Sequence, residues 1–249
     1  MPHILDDVLK PDEIERLLVI TAHPDDVDFA AAGTVANLTD AGVEVSYCIV
    51  TDGQAGGFDE TISRRRMAEI RREEQTKAAA EVGVTDVEFL GRMDGEVVFD
   101  HELRRDLARV IRRVRPQVVV CQSPTINIAS VYASHADHVA TGQAAWAAVY
   151  PDARNPFAHT ELLTDGYEPW SVDEIWIMFG LGQVTAEVHV LDITAQVDRK
   201  IRALRCHVSQ HRDPDAMEER VRAWWGGMAV DAGMPEGTYV ERFFVADAR

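Results

Sequence analysis

The chain of 249 residues is short of three things. It has only three cysteines, Cys48, Cys121 and Cys206, far apart and in no CxxC pair. That odd, scattered set argues against a disulfide framework and against a thiolate zinc site. Cys48 and Cys121 lie in apolar runs and read as buried thiols. Positive charge is also scarce: 25 Lys and Arg stand against 42 Asp and Glu, a net −17. A broad phosphate-binding surface needs clustered Lys and Arg, so nucleic acid is not an expected partner. No apolar run approaches the roughly 18 residues of a transmembrane helix, so no membrane is expected either. The opening MPHILDDVLK lacks the basic-then-apolar layout of a signal peptide, and a cytoplasmic location is the expectation.

What is present is a folded composition, 46% hydrophobic and 27% charged. Leu17 to Thr21 (LLVIT) reads as a buried strand, and residues 26–41 as a helix with Val27, Ala31, Val35 and Leu38 on one face. Val43 to Val50 is the next strand. A strand, a helix and a strand this close imply a parallel pair with a right-handed crossover. The pattern continues with a helix over 63–82, a strand over 87–90, a helix capped by Asp100 and stopped by Pro116, a strand over 117–121 and a helix over 137–149. Further on, strands are expected at 174–179 and 187–193, helices at 194–208 and 214–225, and long loops at 122–134 and 150–172. The fold class is α/β, a Rossmann-like, mostly parallel sheet flanked by helices, in a single domain over 1–249.

The chemistry concentrates in two segments. Thr21-Ala22-His23-Pro24-Asp25-Asp26 follows the first strand and opens the first helix. Ligands in open α/β sheets gather beyond the carboxyl ends of strands. A plain helix start also accounts for these residues, because proline is favoured at a first helical position and acids complement the helix dipole. Ser134-His135-Ala136-Asp137-His138 follows the fourth strand, and positions three apart share a helix face. A catalytic zinc typically takes three protein ligands and leaves a place for water. His23, Asp26 and His138 can supply those three, with Asp25 and His135 left over for proton transfer.

Strand-AHPDD with a later H-x-D-H resembles the PIG-L/LmbE-like deacetylases, over about residues 16–145. Those zinc-dependent enzymes remove N-acyl groups, often from N-acetylglucosamine conjugates, and include mycothiol and bacillithiol pathway deacetylases and mycothiol-conjugate amidases. The resemblance implies metal ligands at His23, Asp26 and His138 and a general base at Asp25. It implies that His135 stabilises the oxyanion or protonates the leaving group, with Asp137 as its supporting partner. Either Asp25 or His135 then delivers the proton to the leaving nitrogen. Thr51-Asp52-Gly53 matches the family's turn after the second strand. Arg71, Glu74, Ala78, Ala79 and Gly83 match a family helix. Asp94 matches an acid that often contacts the sugar, so Arg71 and Asp94 are the expected substrate-binding residues. Lys200, Ala203, Leu204, His207, Ser209 and Gln210 resemble a C-terminal helix motif.

Several positions depart from the pattern. Ala32-Gly33 stands for a double glycine, Asp28 for a Glu of one subgroup, and Ala133 for a Tyr, with Tyr132 offset by one and given no catalytic role. The implied reaction is hydrolysis of a small N-acylated, amino-sugar-like substrate, with Zn²⁺ as cofactor and Fe²⁺ or another divalent transition metal as alternatives. Two other readings are a receiver-like Mg²⁺-binding signalling module and an inactive metal-binding relative. Mg²⁺ prefers oxygen ligands, which disfavours the first, and Asp25 with His135 disfavours the second. The sequence leaves the oligomeric state open, a homo-oligomer included.

Overall fold

The structure is a computed structural model that describes residues 14–128, 131, 134–178 and 187–249. Tyr132 and Ala133 lie outside the described residues. Among the described residues, seven strands form one sheet in the order β3-β2-β1-β4-β5-β7-β6. They are β1 (Arg16–Thr21), β2 (Glu44–Thr51), β3 (Asp86–Arg92), β4 (Val118–Gln122), β5 (Glu174–Met178), β6 (Glu187–Asp192) and β7 (Val240–Asp247). The first five run parallel, as the strand–helix alternation requires. β7 is antiparallel to both β5 and β6. It inserts between them, so strands adjacent in sequence are separated in the sheet.

The helices are α1 (Asp26–Ala30), α2 (Ala32–Asp40), α3 (Arg64–Glu81), α4 (His101–Val114), α5 (Ala136–Ala147), α6 (Thr160–Thr164), α7 (Val197–Arg205) and α8 (Pro214–Asp231). β1 is buried on both faces, which is why it reads as an unbroken apolar run. Leu17 and Val19 face a core shared with Val27, Val35, Leu38, Ala78 and Ala203. Leu18 and Ile20 face the opposite core of Leu103, Leu107, Ile111 and Ala144. Helices α1, α2, α3 and α7 thus cover one face, and α4 and α5 the other.

The single helix expected over 26–41 is two, broken at Ala31, whose φ of −138° is not helical. Behind the break, Glu241 accepts from the N–H groups of Gly33 and Thr34 at 2.9 and 2.8 Å. The carboxylate comes from β7 and satisfies donors that a helix start leaves open. Glu241 is paired in turn with Lys200, both buried. The expected 150–172 loop contains α6, and a turn over Ala148–Ala153 overlaps its start. β7 lies beyond the last element expected from the sequence.

β1 is the switch point of the sheet. From it the chain runs outward to β2 and β3, then crosses to β4 and β5 on the other side. A crevice opens at such a point beyond the carboxyl ends of the strands. His23 leaves β1 there and α5 begins beyond β4.

Candidate active site

Four strand ends feed the crevice. Ala22–Asp26 follows β1, Asp52-Gly53 follows β2, Asp94-Gly95 follows β3 and His135–His138 comes after β4. His23, Asp26 and Asp137 are buried, His138 is partly exposed and His135 is exposed.

His23 Nδ1 lies 3.2 Å from His138 Nε2 and 3.5 Å from Asp26 Oδ2. His138 Nε2 lies 3.1 Å from Asp26 Oδ1. A metal with bonds of about 2.0–2.1 Å in tetrahedral geometry sets its donors about 3.3 Å apart. His23 and His138 bring ring nitrogens to that spacing, an oxygen of Asp26 lies near each (Oδ2 by His23, Oδ1 by His138), and two imidazoles with a carboxylate suit a transition metal. His135 stands at the edge of the group, its ring centroid 4.8 Å from that of His23 and 5.3 Å from that of His138.

Fixed partners aim these donors. Asp26 Oδ2 accepts from the His23 N–H at 2.7 Å and from Gln122 Nε2 at 2.8 Å. Gln122 Oε1 accepts from the Ala22 N–H at 2.9 Å. Gln122 was not among the expected site residues, although a polar residue closing the apolar VVVCQ strand is a visible signal.

Asp137 differs from expectation. Its carboxylate accepts from Gly95 N–H at 2.7 Å and Val97 N–H at 3.1 Å, and sits 3.0 Å from His23 Nε2. Its carboxylate serves His23, held inward by the turn after β3, while only its backbone N–H reaches His135. A ligating histidine is commonly held in this way through its other ring nitrogen. Asp137→Asn is expected to weaken metal affinity about 10–100-fold, read by competition with a chromophoric chelator. Unchanged affinity would show that His23 needs no such partner.

Asp94 and Arg71, expected at the substrate, both turn inward. Asp94 Oδ1 lies 3.2 Å from His23 Nε2, and Oδ2 accepts from Ala55 N–H at 3.0 Å. Arg71 is 4% exposed. Its guanidinium donates to Gly53 O at 2.9 Å and to Pro24 O, and lies 3.1 Å from Asp25 Oδ2. It fixes Asp25 from behind. Gly53, at φ 62°, is the only residue type that fits there, since a Cβ would collide with that guanidinium.

Burial opposes a charge on His23, but hydrogen bonds to Asp137, Asp26 and Asp94 outweigh it and its pKa is pushed up to about 12. So many carboxylates around one ring mark a place for a cation. Burial works against the Asp26 carboxylate as well, yet His138 and His23 hold it well below the usual range. Asp25 goes the other way, raised by burial, with Arg71 opposing. His135 is lowered by burial and by the neighbouring His23 and His138. That lowering favours the neutral ring. Its Nδ1 accepts from Asp137 N–H at 3.2 Å, which puts the ring proton on Nε2 as a donor.

Fold and site together define an α/β protein with a histidine–carboxylate centre at the switch point of a mostly parallel sheet. The profile of the PIG-L family, GlcNAc-PI de-N-acetylase, matches residues 18–149, and the chain belongs to that family. Diacetylchitobiose deacetylase of Thermococcus kodakarensis is 31% identical over 198 residues, covering 80% of this chain and 71% of that protein. A probable N-acetyl-alpha-D-glucosaminyl L-malate deacetylase 2 of Bacillus cereus is 31% identical over 203 residues, covering 78% and 83%. The solved N,N′-diacetylchitobiose deacetylase of Pyrococcus horikoshii, complexed with its inhibitor MPG, superposes with a TM-score of 0.85 at 30% identity, over 97% of this chain and 88% of that one. Among the described residues, no helix is long and apolar enough to cross a membrane.

Proposed function

We propose that the protein is a metal-dependent N-deacetylase that hydrolyses the N-acetyl amide of a small N-acetylglucosamine-type substrate. The donor set of His23, Asp26 and His138 carries this reading, with Asp25 next in the chain and not spent on it. A divalent transition ion held there, Zn²⁺ or Fe²⁺, would lower the pKa of water and polarise the amide carbonyl as a Lewis acid.

The chain's own residues handle the protons. Asp25 accepts a proton from the attacking water, and its raised pKa makes it the stronger base of the Asp25-Asp26 pair. His135 Nε2–H donates toward the oxyanion that forms as the carbonyl carbon becomes tetrahedral. The C–N bond then breaks, the nitrogen takes a proton from Asp25 or His135, and the products are acetate and a free amine. Asp137 and Asp94 keep His23 turned so that Nδ1 faces Asp26 and His138. The two imidazoles speak against a Mg²⁺-binding receiver. Asp25 and His135, both in place, speak against an inactive scaffold.

The test is amine release from N,N′-diacetylchitobiose and from N-acetylglucosamine. Amine is expected from the metal-loaded protein, lost on chelation and regained on adding Zn²⁺. Metal-loaded protein that frees no amine from any N-acetylated amino sugar would overturn the proposal.

A further inference from the structure

Asp25 is held in an unusual conformation. Its φ of 91° lies in the left-handed region, which residues with a Cβ rarely adopt. Something outside the local sequence must hold it there. Arg71 and Gln75 stand four positions apart on α3 and so share one face. Arg71 Nη2 donates to Pro24 O, and Gln75 Oε1 accepts from Asp25 N–H at 2.7 Å. Those are the carbonyl and the N–H of a single peptide group. One face of α3 therefore grips that peptide at both ends, which sets its plane and the backbone angle next to it.

The orientation of Gln75 is itself enforced. Its Nε2 donates to Asp28 Oδ2 at 3.0 Å, so Oε1 must face Asp25. The same Asp28 oxygen lies 2.8 Å from His207 Nε2. Gln75, Asp28 and His207 are all 0% exposed. Glu74 accepts from Ser209 N–H at 2.8 Å and Oγ at 2.7 Å, which fastens the segment after α7 to α3. None of the three buried residues belongs to the donor set. A buried polar chain of this kind specifies one arrangement at a cost in stability that apolar packing would avoid. What it specifies here is the Pro24–Asp25 peptide.

We propose that Gln75, oriented by Asp28 and His207, is a positioning residue that holds Asp25 in its left-handed conformation and so aims its carboxylate for proton abstraction. The inference rests on Asp25 as proton acceptor. A misplacement of about 1 Å at such a group costs on the order of 100-fold in rate.

The test uses the full-length, metal-loaded protein with N,N′-diacetylchitobiose. Gln75→Met keeps the bulk and removes both hydrogen bonds. It is expected to lower kcat roughly 10–100-fold, with metal content unchanged and KM within about twofold. In an Asp25→Ala background the same substitution is expected to cost nothing further, because its route of action is gone. His207→Phe is expected to lower kcat, and His207→Gln, whose amide can still donate to Asp28, to recover most of it. That second pair carries the comparison if Gln75→Met fails to fold.

Wild-type kcat in Gln75→Met beside an impaired Asp25→Ala overturns the positioning role alone. So does a loss of equal size with and without Asp25. Failure of His207→Gln to recover activity overturns the part given to His207. A fully active Asp25→Ala protein overturns both this inference and the reading beneath it.

Discussion

Asp25→Ala is expected to keep one metal ion per chain and to lose about 10²–10⁴-fold in kcat, the usual worth of a positioned acid–base group. The proposed reaction gives the two adjacent acids different jobs. Asp26 has one oxygen taken by the His23 N–H and Gln122 and the other turned to His138. Asp25 faces Arg71 and is raised by burial. Metal content should therefore survive the loss of Asp25 while proton transfer fails. Metal analysis and amine release on the same preparation make the check. An Asp25→Ala protein with wild-type turnover removes Asp25 from the reaction, and one without metal places it among the ligands.

The second large effect concerns the metal itself. His138→Ala removes a ring nitrogen that lies 3.2 Å from His23 Nδ1 and 3.1 Å from Asp26 Oδ1. Loss of stoichiometric metal and of detectable amine release is expected, because the two remaining donors no longer close the site. Full metal occupancy in His138→Ala would contradict the ligand set.

The same centre predicts a pH dependence of binding in the wild-type apo protein. His23 has a pKa pushed up to about 12 without metal, so it carries an extra proton throughout pH 7–9. Binding at Nδ1 must displace that proton, and apparent affinity should rise about tenfold per pH unit across this range. Asp26, held well below the usual carboxylate range, is already ionised and contributes no proton. A histidine of ordinary pKa, near 6.5, would give an affinity almost flat above pH 7. Calorimetry in buffers of different ionisation enthalpy counts the protons released, and a count of zero contradicts the charge state assigned to His23.

Much of this was legible in the chain because its signals are local. Buried parallel strands read as apolar runs, so the LLVIT and QVVVC segments located β1 and β4 to within a residue. His23 and Asp26 lie just past β1, and His138 lies in the first turn of the helix after β4, at the end of the sheet where ligands gather. The break at Ala31 was hidden because the apolar periodicity of 26–41 carries across it. Its partner Glu241 is more than two hundred positions away.

By itself the sequence determined the alternation of strands and helices, the parallel start of the sheet and the residue types able to share an ion. Periodicity and strand ends are written in consecutive residues. Only the tertiary structure decided that β7 enters between β5 and β6, that Asp137 serves His23, and that Arg71 and Asp94 turn inward. It alone set Gln75, Asp28 and His207 behind Asp25. A hydrogen bond depends on separations of a few tenths of an ångström between elements that packing brings together, and no local pattern along a chain encodes such a distance.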